Sequence, residues 1–178
     1  MAPSELNREL ARMTIESQQH WTNPSVVTFA DDNDPVDVVS AKAKEVTLTA
    51  IEKGWEGPPF DTFKLANILG FSVIPCDSIR DARLVPEARG RFRIEYNPNQ
   101  PKARVRFSIA HEIAHTFFPD CRNRVRHRES KNRSKGDDWQ LEMLCNVGAA
   151  ELLMPTGSFP PLNETFSIDD VLRMRDQF

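Results

Sequence analysis

Arg106-Phe107-Ser108-Ile109-Ala110-His111-Glu112-Ile113-Ala114-His115-Thr116-Phe117-Phe118 is the stretch on which the fold turns. Nothing in it breaks a helix before Pro119, so it reads as one helix. At about 3.6 residues per turn, positions four apart share a face, and His111 and His115 can reach one metal ion. Glu112, about a third of a turn from His111, can address water at that ion. The chain has four histidines, and two of them are here. A helical His-Glu-x-x-His run is the pattern of zinc hydrolases, with the glutamate as general base.

Two histidines are not a complete catalytic zinc site, which takes three protein ligands and a water. The third is expected from a second helix packed against the first. Asp138 to Leu153 is the best candidate, stopped by Met154-Pro155. On a helical wheel Glu142, Cys145, Asn146, Ala149 and Leu153 share a face. Cys145, Ala149 and nearby Gly148 are small enough for close approach of another helix. A carboxylate in that stripe needs a partner, because an unpaired buried charge is expensive. Glu142 is therefore the expected third ligand. Asp137, Asp138 and Glu151 compete, although the aspartates suit a helix N-terminus and Glu151 falls roughly opposite Glu142. A His, His and Glu set suits zinc and does not exclude manganese or iron.

Two further residues have double readings. Tyr96 could stabilise an oxyanion, but Phe92, Ile94 and Tyr96 alternate with Arg91, Arg93 and Glu95 as on the inward face of a strand, which favours a core tyrosine. Cys121, six residues past His115, could swing onto the metal as an inhibitory ligand or be a plain thiol in a loop.

These segments carry a resemblance. Arg106 to His115, then Glu142-x-x-Cys145-Asn146, then Ala149-Ala150-Glu151-Leu152-Leu153-Met154-Pro155 resemble the ImmA/IrrE family of bacterial and phage metallopeptidases. Pro58 to Gly70 is similar to that family's leading helix, and Ile94-Glu95-Tyr96-Asn97-Pro98 to its strand before the catalytic helix. The likeness spans roughly residues 40 to 160. It implies a minimal zincin, a zinc endopeptidase that cuts a helix-turn-helix repressor encoded beside it and releases mobile-element, DNA-damage or phage-defence genes. By the resemblance His111 and His115 are metal ligands, Glu112 the base and Glu142 the third ligand. Cys145 and Gly148 stand where the family commonly has alanine and phenylalanine, which leaves the ligands intact and alters the packing. Relatives usually continue where this chain stops, at Phe178 inside an amphipathic stretch, so a further sensor domain is expected.

At 178 residues, with 39% hydrophobic residues and a net charge of -3, the expectation is one globular metallopeptidase domain. Residues 1–35 read as an N-terminal helical arm, 36–160 as the catalytic core and 161–178 as a C-terminal helix. No apolar run approaches the roughly 20 residues that cross a bilayer, and the first ten lack the apolar centre of a secretory signal. Three scattered cysteines argue against a disulfide framework and for a reducing cytoplasm.

Along the chain, Ser4 to His20 reads as a helix broken by Asn23-Pro24, and Asp31-Asp32-Asn33-Asp34-Pro35 as an acidic turn or linker. Val36 to Lys53 reads as a long helix. Asp61 caps a short one running to Leu69, with Gly70 as its stop. Phe71 to Pro75, Ala82 to Val85 and Arg91 to Tyr96 read as strands of a small, mostly antiparallel sheet beside the helices, an α+β arrangement. The third strand could offer an edge to an extended substrate. Ser167-Ile168-Asp169-Asp170 resembles a capping box.

Between the two metal-binding helices, Arg122, Arg124, Arg126, Arg128, Lys131, Arg133 and Lys135 face a single acid, Glu129, in an otherwise acidic chain. This segment, 122–135, reads either as a solvated loop or as a contact for phosphates of DNA acting as an activator. His127 within it, and His20, read as passengers. A competing view of the whole protein is a non-catalytic, metal-stabilised anti-repressor or DNA-sensing module. Glu112 argues against it, because structural metal binding needs ligands but no base.

Overall fold

Two acid-amide and proline pairs start the first helices. In the computed structural model, which describes residues 21–122, 126–127, 138–159 and 167–177, Asn23 caps helix α1 (Pro24–Ala30). Its Oδ1 accepts from the backbone N–H of Ser25 and Val26 at 3.0 and 3.2 Å. Pro24 occupies the first helical position, where a missing N–H loses nothing. The dipeptide is a helix start. Asp34 repeats the device for α2 (Pro35–Glu52), accepting from Val36 N–H at 2.8 Å. Between the helices Asp31 and Asp32 take φ of 48° and 65°, so the acidic stretch is a tight turn rather than a linker.

Helix α1 packs against the rest of the fold. Val26 and Ala30 are buried, and the Phe29 ring lies 4.8 Å from that of Phe118. Gln140 Oε1 accepts from Thr22 and Asn23 N–H, each at 2.9 Å. The helix expected over Ser4 to His20 lies outside the described residues, as do His20, Arg124, Arg128, Asp137 and most of the basic segment.

Asp61 caps α3 (Thr62–Ile68), accepting from Phe63 and Lys64 N–H, and Gly70 leaves it at φ 80°. Strands β1 (Ser72–Pro75), β2 (Ala82–Pro86), β3 (Phe92–Tyr96) and β4 (Arg126–His127) form a sheet in the order β1-β3-β2-β4. β1 runs parallel to β3, and the other two pairings are antiparallel. β3, which could have offered an edge to an extended substrate, is interior to this order. Ile94 pairs with Val73 on one side and Leu84 on the other, so both its ladders are used. On the outer face Glu95 meets Arg83 at 2.6 Å and Arg93 at 3.0 Å. Burial raises the Glu95 carboxyl, but the two guanidiniums outweigh it and hold it below the usual range.

The inner face carries Leu84, Phe92 and Ile94 onto Ile109 and Ile113 of α4 (Lys102–His115) and Ala149 and Leu152 of α5 (Asp138–Leu153). A second cluster joins Val26, Val39, Phe118, Leu141, Leu144 and Cys145. At Gly148 a Cβ would come within 3.0 Å of Ala114 Cβ, so the small-residue stripe does bring α5 hard against α4. Leu144 is fully buried in that layer. Leu144→Ala should cost about 2–5 kcal/mol in urea unfolding; a loss well under 1 kcal/mol would show the layer to be loosely packed.

The capping box opening α6 (Ile168–Gln177) is formed: Ser167 N–H and Oγ donate to Asp170 Oδ2 at 2.8 and 2.7 Å. These bonds, with Arg173, lower the Asp170 carboxyl from 3.8 to about 2. A depressed carboxyl stabilises the fold above pH 3.8 and loses that contribution as pH falls towards 2. Ser167→Ala should move the Asp170 titration, followed by carboxyl-carbon NMR, part of the way back towards 3.8; an unmoved titration would assign the shift to the remaining backbone N–H and Arg173. Among the described residues no helix is long and apolar enough to cross a membrane.

Candidate active site

Ile109, Ala110 and Ile113 seat α4 on the sheet, which leaves His111, Glu112 and His115 buried at 1%, 1% and 3% exposure. Their ligand atoms all lie within 4.8 Å of one another. The two Nε2 atoms are 3.2 Å apart. From α5, Glu142 Oε2 stands 3.2 Å from His111 Nε2, and its Oε1 stands 3.5 Å from His115 Nε2. The Glu142 side chain is 40% exposed, so the site is closed on the histidine side and open to solvent past this carboxylate.

The outer nitrogens are held from the same helix. Asn146 Oδ1 lies 3.0 Å from His111 Nδ1, and Cys145 Sγ lies 3.3 Å from His115 Nδ1. An amide oxygen only accepts, so His111 donates from Nδ1 and its Nε2 keeps a lone pair. With the thiol sulfur accepting in the same way, both Nε2 lone pairs and a carboxylate converge on one point. Three acceptors so close repel each other, and a cation between them turns repulsion into ligation. The donor set therefore fits a divalent metal.

The helical wheel groups Cys145 and Asn146 with Glu142 but does not show that either would hold a histidine. The signal was present: they sit three and four residues beyond Glu142, where a helix repeats its face. Asn146→Ala should lower metal affinity roughly 10–100-fold by freeing the His111 ring. Chelator competition measures this, and wild-type affinity would show the Asn146 contact to be incidental.

The other expected residues fall elsewhere. Glu151 accepts from Thr156 N–H and Oγ1 at 3.0 and 2.6 Å, capping the turn after α5. Asp138 opens α5. Cys121 is buried in the apolar cluster with Leu84, Phe92 and Ile109, and an inhibitory swing would have to take it out of the core. Tyr96 is half-buried at the border of the core and edge-on to Phe63, with ring centroids 5.3 Å apart. The exposed Arg122 holds its guanidinium 5.1 Å from the Phe92 ring centroid. Arg126 and His127 pair through their backbones with Leu84 and Arg83.

No curated protein matches the chain. The model of the IrrE N-terminal-like domain, Peptidase_M78, matches residues 77–178, more than half of the 178. That match starts downstream of Pro58 to Gly70, which the sequence likeness had included, and runs on through α6. With a helical His-Glu-x-x-His group at its centre and this match over most of its length, the chain belongs to the IrrE N-terminal-like family of metallopeptidases.

Proposed function

We propose that the protein is a zinc-dependent endopeptidase that cleaves a partner helix-turn-helix repressor and so derepresses stress, DNA-damage or phage-defence genes. The observation that carries the peptidase part is Glu142 facing both Nε2 atoms while Glu112 lies buried beside them. His111, His115 and Glu142 would hold the metal, and Glu112 is left for proton transfer. When bound, a divalent cation lowers the pKa of water towards neutrality and polarises the scissile carbonyl. Glu112 accepts the proton of the attacking water and returns it to the amine that leaves. Asn146 and Cys145 keep both imidazoles turned inward throughout. The choice of a repressor as substrate rests on the sequence resemblance.

The test is incubation of metal-loaded protein with the repressor encoded beside it, with products read by mass spectrometry. Chelator and short DNA form separate arms. Cleavage that chelator stops and zinc restores supports the reading, and an intact repressor under every condition overturns it. A DNA requirement that weakens with salt would give segment 122–135 a phosphate-binding role. Equal cleavage without DNA would leave that segment a solvated connection.

A further inference from the structure

A groove of about 530 Å³ opens between α3, the end of β3 and the first turns of α4. That is ample for a ligand or a few peptide side chains. Its walls are mainly carbon: Phe60, Phe63 and Tyr96 meet there with Pro59 and Val105. Phe63 is 37% exposed, an aromatic left facing solvent inside a concavity.

The groove's charge is net positive, with two basic side chains against one acid. That acid, Asp61, caps α3, its Oδ1 accepting from Phe63 and Lys64 N–H. Arg106 lines it and donates to Phe60 O at 3.2 Å. Lys102 also lines it and, among the described residues, has no ion-pair partner. The first turn of α4 holds no acid and no side-chain cap, although the first N–H groups of a helix have no internal acceptor and favour anions. Lys102, Arg104 and Arg106 crowd that end instead, against the preference of the helix dipole. Arg104 is taken up by Asp81 at 2.5 and 2.9 Å.

We propose that this groove docks an acidic, apolar peptide segment of a partner protein. A large apolar side chain enters among Phe60, Phe63 and Tyr96, and a flanking carboxylate sits against Lys102 and the first turn of α4. Nucleic acid is the poorer fit, because two basic side chains, one already donating to a carbonyl, are too few to follow a phosphate backbone. The groove is separate from the catalytic face. At about 100° per residue, Lys102, Val105 and Arg106 lie roughly 120–180° around α4 from His111, and about 7–14 Å back along its axis. A docked segment therefore leaves the histidine pair clear, and the site can hold one part of a protein while another part is cut. The proposal stands on the groove alone and does not depend on cleavage.

The experiment uses the ¹⁵N-labelled Glu112→Gln protein, titrated with acetyl-Glu-Leu-Phe-Glu-amide and, separately, with acetyl-Gln-Leu-Phe-Gln-amide. The acidic peptide should shift the amides of Phe63, Tyr96, Lys102 and Ala103 and bind about tenfold more tightly than its amide twin at low salt. Lys102→Gln, at an exposed position, should erase that preference, and Phe63→Ala should weaken both peptides about tenfold. Equal affinity for the two peptides, shifts confined to the surroundings of His111 and Glu142, or no shifts at millimolar peptide would each overturn the proposal. Stronger shifts of the same amides by an eight-residue oligothymidine would overturn it in favour of nucleic acid. Because the base is absent in this protein, failure here leaves the peptidase reading untouched, and absence of cleavage elsewhere leaves the docking result standing.

Discussion

Glu112→Gln should keep its fold and its metal while losing cleavage by roughly a hundred- to ten-thousand-fold, the range supplied by a positioned general base. The substitution preserves shape. Glu112 is 1% exposed and tightly enclosed, so an amide of the same size fills the same space. A neutral amide is also easier to bury than a carboxylate, so no loss of stability is expected from desolvation. What disappears is the lone pair that takes a proton at neutral pH. Metal content by mass spectrometry, thermal unfolding and single-turnover cleavage together decide the outcome. Normal cleavage by the variant would remove Glu112 as the base. A fall in bound metal alongside activity would make Glu112 a ligand, an outcome worth separating because one of its oxygens shares a 4.8 Å cluster with both histidines.

Glu142→Ala should have the largest effect on metal binding, a loss exceeding the roughly 10–100-fold expected for removing an outer partner such as Asn146. Both carboxylate oxygens face the Nε2 pair, at 3.2 and 3.5 Å. Removing them leaves two neutral imidazoles, with no negative charge from α5 to offset a dication. Water can enter on this exposed side and replace part of the coordination, but it does not replace the charge. Affinity is read by competition with a chromophoric chelator, with Asn146→Ala as the internal scale. Unchanged affinity would move the third ligand to Glu112 or Asp138; Glu151 is no longer a candidate, because Thr156 occupies its carboxylate.

Much of this site is legible in the sequence. Asp138 to Leu153 was read as a helix between those limits and is one, because it lies between a solvent-exposed start and Met154-Pro155. Asp61 and Gly70 were read as the ends of α3 and serve as such, since a carboxylate at an N-cap and a glycine with positive φ act through local backbone geometry. The Ser167 and Asp170 box formed for the same reason. Asn23-Pro24 also opens the next helix, because a capping side chain followed by a proline at the first helical position suits a helix start, and that second role is seen in the cap and in the burial of Val26 and Ala30.

By itself, then, the sequence determined what depends on near neighbours: the Asp61 cap and the Ser167 box, three of the strands, the two helices and the face on which His111, His115 and Glu142 each lie. Spacing along a helix is a rigid consequence of its hydrogen bonds, so it can be read from a string of residues. Tertiary structure alone decided what depends on contact between distant segments. It placed β3 between β1 and β2, drew Cys121 into the core, and turned Cys145 and Asn146 onto the outer nitrogens of the two histidines. The last of these follows from how closely α5 approaches α4 across Gly148 and Ala114, a packing distance that no local pattern encodes.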